Sequence, residues 1–143
     1  MGVAFSDFPI NSVGLIEGSV VDHADNDLTS LVLDTAVAPG HAVQASGDHT
    51  AKLPVDGVRG IVAYSFTQDN NASGDAEYPA GKSVTVLRKG RIAVKVADGC
   101  SVDAKVYAKT DGTIVSTADS NIEIAGAYFV TAASAGGLAI VQL

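Results

Sequence analysis

Apolar and polar positions alternate along much of this chain with a period of two. Val84-Thr85-Val86-Leu87 and Ile92-Ala93-Val94-Lys95-Val96 show it most clearly. A half-buried strand requires that period, because successive side chains point to opposite faces of a sheet. Strands are predicted over 31–37, 41–45, 58–66, 83–89, 91–96, 105–109, 113–116, 122–130 and 138–143. Turn residues punctuate them: Pro39-Gly40, Ser46-Gly47-Asp48, the single Gly90 between two strands, and Thr110-Asp111-Gly112. No segment carries a period-3.6 apolar stripe of helical length. Many short strands with Gly-rich turns predict an all-β, single-domain β-sandwich or barrel of short antiparallel strands. Tyr64, Val86, Ile92, Val94, Ile124, Phe129 and Ile140 are the expected core.

The first 27 residues break the pattern, dividing the chain into an N-terminal arm with a first short strand (1–27) and a β body (28–143). Phe5, Phe8, Pro9 and Ile10 are apolar but lack a sustained period, and the apolar run 13–21 is interrupted by Gly14 and Gly18. Isolated aromatics on an extended arm are poorly solvated, so they are expected to dock on a neighbouring chain. A polar loop at 67–80 is long for a compact domain and suits an interface. The pattern Gly-x-x-aliphatic recurs at Gly40, Gly81, Gly99 and Gly137. It reads as a tight turn feeding a strand, with a trace of an old duplication. No charge occurs between Ile124 and Leu143, and about 20 apolar residues can cross a bilayer. Gly126, Thr131, Ser134, Gly136, Gly137 and Gln142 interrupt that stretch, however, and two strands joined by a Gly-Gly turn account for it better.

Composition narrows the function classes. The chain has 143 residues, 47% of them apolar and only 17% charged, against about 25% charged in ordinary soluble domains. A surface with so few charges favours oligomerisation or docking. Strand formers abound, and Glu occurs only at Glu17, Glu77 and Glu123. A net charge of −7 argues against a nucleic-acid surface, which needs a dense basic face. The basic residues cluster once, at Arg88, Lys89, Arg91 and Lys95, an edge suited to an acidic protein neighbour. One cysteine, Cys100, excludes an internal disulfide. The N-terminus lacks the basic and apolar regions of a secretory signal, although Gly2 and Ser6 match the short N-myristoylation pattern.

Candidate chemistry is sparse. Cys100 lies in the turn Asp98-Gly99-Cys100-Ser101 without a base beside it in sequence, and reads as a small packed side chain. His41 and His49 straddle a turn but have no third zinc ligand in pattern, and His23 stands apart. Asp22, Asp25 and Asp27 form an acidic loop lacking the spacing and closing Glu of a calcium loop. No phosphate-binding glycine motif is present. No catalytic, cofactor or metal residue is assigned, and an enzyme is not expected.

The stretch from Ala80 to Leu143 resembles the capsid cement, or head decoration, proteins of tailed bacteriophages. The resemblance lies in Gly81-Lys82-Ser83-Val84-Thr85-Val86-Leu87-Arg88-Lys89-Gly90-Arg91-Ile92-Ala93-Val94-Lys95-Val96, in Val106-Tyr107 and the Asp111-Gly112 turn, in Ile124-Ala125-Gly126-Ala127-Tyr128-Phe129-Val130, and in the terminal Gly136-Gly137-Leu138-Ala139-Ile140-Val141-Gln142-Leu143. It implies a virion protein made in the bacterial cytoplasm that sits on the outer capsid surface. The partner would be the major capsid protein, with neither nucleic acid nor membrane in contact. The protein would act as a homotrimer and staple neighbouring capsomers, with Phe5, Phe8, Pro9, Ile10, Arg88 and Arg91 at the interface. Two other readings stay open: a self-polymerising tail or fibre subunit, and a ligand-binding β-barrel, which eight aromatics and no Trp make poorer.

Overall fold

The computed structural model describes residues 17–21, 26–64, 69–70 and 76–143. It contains twelve strands: β1 (Asp27–Leu33), β2 (Ala42–Ala45), β3 (Thr50–Lys52), β4 (Gly60–Val62), β5 (Asp69–Asn70), β6 (Ala76–Glu77), β7 (Ser83–Lys89), β8 (Arg91–Val96), β9 (Lys105–Ala108), β10 (Ile114–Val115), β11 (Ile122–Phe129) and β12 (Gly137–Gln142). There is no helix among the described residues. The all-β class read from the alternation holds.

The body holds two closed sheets of five strands each, not one. The first runs β1-β3-β2-β4-β7 and closes through β1 and β7; the second runs β10-β8-β12-β11-β9 and closes through β9 and β10. Closure leaves few open edges, the exposed feature that invites unwanted strand pairing. β7 and β8 look like a pair around Gly90, yet they belong to different barrels. Gly90 has φ 127°, and a Cβ there would meet Asn26. β7 pairs with β1 and β4, and β8 with β12 and β10.

The two barrels repeat each other strand for strand. β1, β2, β3, β4 and β7 correspond to β8, β9, β10, β11 and β12, and each barrel has one parallel pair, β1 with β3 and β8 with β10. The register repeats as well. A shift of 63 residues carries Leu33↔Ala51 onto Val96↔Ile114, and Gln44↔Lys52 onto Tyr107↔Val115. β4 and β7 map with shifts of 67 and 55, so Val62↔Val86 becomes Phe129↔Val141. Turns match too: His41 N–H donates to Ala38 C=O (3.3 Å), and Ala104 N–H to Ser101 C=O (3.2 Å). The bridge Val37↔Tyr78 corresponds to Cys100↔Ala133.

The cores follow this equivalence. Leu31, Val43, Val62 and Val86 fill the first barrel, and their counterparts Val94, Val106, Phe129 and Val141 fill the second. Ala42, Ile61 and Leu87 of the first barrel join the second cluster, so the two barrels share one interior boundary. Six of the seven expected core residues are buried. Tyr64 is half-buried, and its N–H donates to Gly18 C=O (2.8 Å). The stretch 67–80 contains the antiparallel pair β5–β6 and includes Tyr78, a core residue whose hydroxyl donates to Ala63 C=O (3.1 Å). The C-terminal apolar stretch forms β11 and β12, which pair antiparallel. Among the described residues no helix is long and apolar enough to cross a membrane.

Candidate interface surface

Four of the expected interface residues, Phe5, Phe8, Pro9 and Ile10, lie outside the described residues, as do Asp22, Asp25 and His23. The other two, Arg88 and Arg91, stand on either side of Gly90 and so on different barrels. Arg88, exposed on β7, makes a surface ion pair with Asp27 across the β1–β7 ladder (3.7 Å). An exposed pair of this kind contributes about 0–1 kcal/mol, so Arg88 remains available to an acidic partner. Arg91 is half-buried, and its Nε donates to Gln142 Oε1 (2.9 Å) across the β8–β12 pair. Lys89 is exposed next to Arg88, and Lys95 is exposed further along β8. The basic edge therefore spans the junction of the two barrels.

Alternation could not reveal which apolar side chains remain outside. Leu28 and Val32 protrude from β1, Val55 and Val102 from loops, and Tyr128 from β11. Leu28 (49% exposed) and Val32 (36%) lie two positions either side of Ser30 on one face of one strand. Barrel repetition makes one further contrast visible: Ile61 is buried where the barrels meet, while its counterpart Tyr128 is open.

The rest of the surface offers little chemistry. Cys100 donates to Thr131 C=O (3.4 Å). Burial pushes its thiol upward and the nearby Asp98 charge adds to this, against the opposing Ala133 N–H, so it is a poor nucleophile at neutral pH. Asp98 accepts from Thr117 Oγ1 and from Ser116 N–H (3.0 Å). Burial opposes its ionisation, but these hydrogen bonds outweigh that and hold the carboxyl below its ordinary value. Asp111 behaves alike: burial raises it, and the Thr113 bonds with the His41 and Lys109 charges outweigh this and hold it below its ordinary value. Both carboxylates tie turns together. Among the described residues, no group of three His, Cys, Asp or Glu side chains is placed to hold a metal ion.

No curated protein sequence matches the chain. A chain in the structure of the capsid of Myoviridae phage XM1 shares its fold, with a TM-score of 0.70 and 18% identity, over 98% of this chain and 97% of that one. A chain of the head fibre gp8.5 N base of bacteriophage phi29 gives a TM-score of 0.49 at 17% identity, over 82% of this chain and 93% of that one. Residues 11–143, nearly the whole chain and both barrels, match the family described as structural cement protein (E217 gp24/Pam3 gp6), and the protein accordingly belongs to the phage structural cement proteins.

Proposed function

We propose that this structural capsid protein binds the outer surface of a phage head as a homotrimer and holds neighbouring capsomers together against internal pressure. The family match over residues 11–143 carries the reading. The body supports it physically. Two closed barrels with a shared interior boundary give a stiff block, and the exposed apolar side chains are spread over β1, β11 and loops. Contacts of that kind add up when symmetry repeats them, because each bound site raises the effective concentration of the next. Phe5, Phe8, Pro9 and Ile10 anchor the arm on a capsid or neighbouring subunit, and Arg88 and Arg91 face an acidic strip of the major capsid protein. No catalytic step is part of the role.

The test adds purified protein to heads assembled without it. Saturable binding at a fixed ratio, a higher rupture temperature for the heads and a trimer mass in solution are expected. A protein that grows open-endedly with concentration, or a monomer that ignores heads, would overturn the reading. Removal of residues 2 to 10 should weaken head binding; unchanged binding would remove the arm from the mechanism.

A further inference from the structure

The two barrels differ at one equivalent edge. In the second barrel an extra strand lies along β8, on the side away from β12. Gly18 N–H donates to Ala93 C=O (2.7 Å), Ala93 N–H to Ser19 C=O (2.9 Å), and Val21 N–H to Arg91 C=O (2.9 Å). The pairing is antiparallel, with Val20 opposite Ile92.

The counterparts of Arg91, Ile92 and Ala93 in the first barrel are Leu28, Thr29 and Ser30, by the matching registers of β1–β7 and β8–β12. Successive residues of a strand direct their backbone groups to alternate sides. Leu28 and Ser30 therefore present theirs on the side used by Val32, whose N–H donates to His49 C=O (2.8 Å) next to β3. Along β1, β3 pairs only with Val32 and Leu33, and so stops short. Among the described residues, no backbone group meets Leu28 or Ser30 on this side. Exposure agrees: Arg91 is half-buried and Ala93 fully buried, whereas their counterparts Leu28 and Ser30 are exposed. An open edge flanked by apolar side chains is a template for another strand.

We propose that this β1 edge accepts part of residues 1–16 of a second copy of the chain, added as an antiparallel strand. The proposal deepens the arm-docking part of the function proposed above and rests on it. The equivalent edge already takes residues 18–21, separated from this segment only by Glu17. Phe5, Phe8, Ile10 and Val13 supply the apolar side chains that Leu28 and Val32 lack as neighbours. Within one copy, the described residues next to this segment lie away from the edge. Glu17 and Gly18 stand beside Gly40, and Gly18 beside Tyr64, by β4, while the open edge lies by β1 and β3 across the closed sheet.

Disulfide trapping in the full chain tests this. Cys100→Val removes the native thiol, with Val37 at the equivalent position as its precedent. One preparation carries Ser30→Cys; a second carries Ser6→Cys, Phe8→Cys or Ile10→Cys. Oxidised together without heads, at least one pair should give a mixed disulfide dimer. Its yield should exceed that of a Val55→Cys control by about tenfold or more, since docking raises the effective thiol concentration. No mixed dimer above the control overturns the proposal, and so does a bond that forms only within one chain of the double variant. Head binding is measured separately. Binding without the mixed dimer refutes strand exchange alone, and the mixed dimer without head binding refutes the cement reading alone.

Discussion

Gly60 is the position at which packing in the first barrel is least forgiving. It opens β4 and lies against β7, where a Cβ would overlap the Leu87 carbonyl oxygen and sit 2.7 Å from Val86 Cγ1. The Val86 methyl can turn, but the Leu87 carbonyl is backbone and cannot. Gly60→Ala must therefore push β4 from β7 where Ile61↔Leu87 and Val62↔Val86 pair. Overpacking of this kind costs about 1–3 kcal/mol, and a lost ladder hydrogen bond about 0.5–1.5 kcal/mol more. The stiffer unfolded chain returns about 0.4–1 kcal/mol. Gly57→Ala is the control: nothing lies within 4 Å of its Cβ position, so it keeps the gain without the clash. The two variants should differ by about 2–4 kcal/mol, or roughly 6–12 °C in Tm for a chain of this length, read by calorimetry or far-UV circular dichroism. The counterpart of Gly60 in the second barrel is Ala127, buried and accommodated. Coincident melting of the two variants would thus show that β4 yields as β11 does, and would refute the steric argument.

Val94→Asp places an unpaired charge in the second barrel, where Val94 is fully buried; no soluble, folded product is expected, and recovery of one with a native spectrum would count against the core assignment. Asp98→Asn should lower stability at neutral pH. The native carboxyl is held below its ordinary value, so its contribution is present above the unfolded pKa of about 3.9 and disappears as pH falls through the lower folded value. Wild type and variant should therefore converge in strong acid, and an unchanged gap there would refute this account. Cys100 should react slowly with a thiol reagent at pH 7 relative to the unfolded chain, given its raised pKa and partial burial; equal rates would show an open thiol.

Strand content was legible because alternation is a local property. The strands at 83–89 and 91–96 coincide with β7 and β8, since each has a clear inward set, Val84 and Val86 in one, Ile92, Val94 and Val96 in the other. β3 was missed, because Thr50-Ala51-Lys52 has a single buried residue and carries no period of its own. The Gly-x-x-aliphatic pattern reads as turn chemistry, and its register differs from that of the barrel repeat. Gly40, with φ 80°, has Asp103 as its counterpart, with φ 67°, rather than Gly99. Gly81 maps to Gly136, one residue before the glycine that the pattern selected. Local turn chemistry is conserved between the barrels in conformation more than in residue type.

By itself the sequence determined the all-β class, most of the strands and nearly all of the expected core. Each of these follows from side-chain period, turn residues and the residue inventory, which act over a few positions. Only the tertiary structure decided that β7 and β8 part at Gly90 into two barrels, that the barrels match in register, that Tyr78 is core, and that Leu28 to Ser30 form an edge where Arg91 to Ala93 do not. Partner choice among strands depends on hydrogen bonds between segments far apart in sequence, and no period within a strand records which distant backbone will meet it.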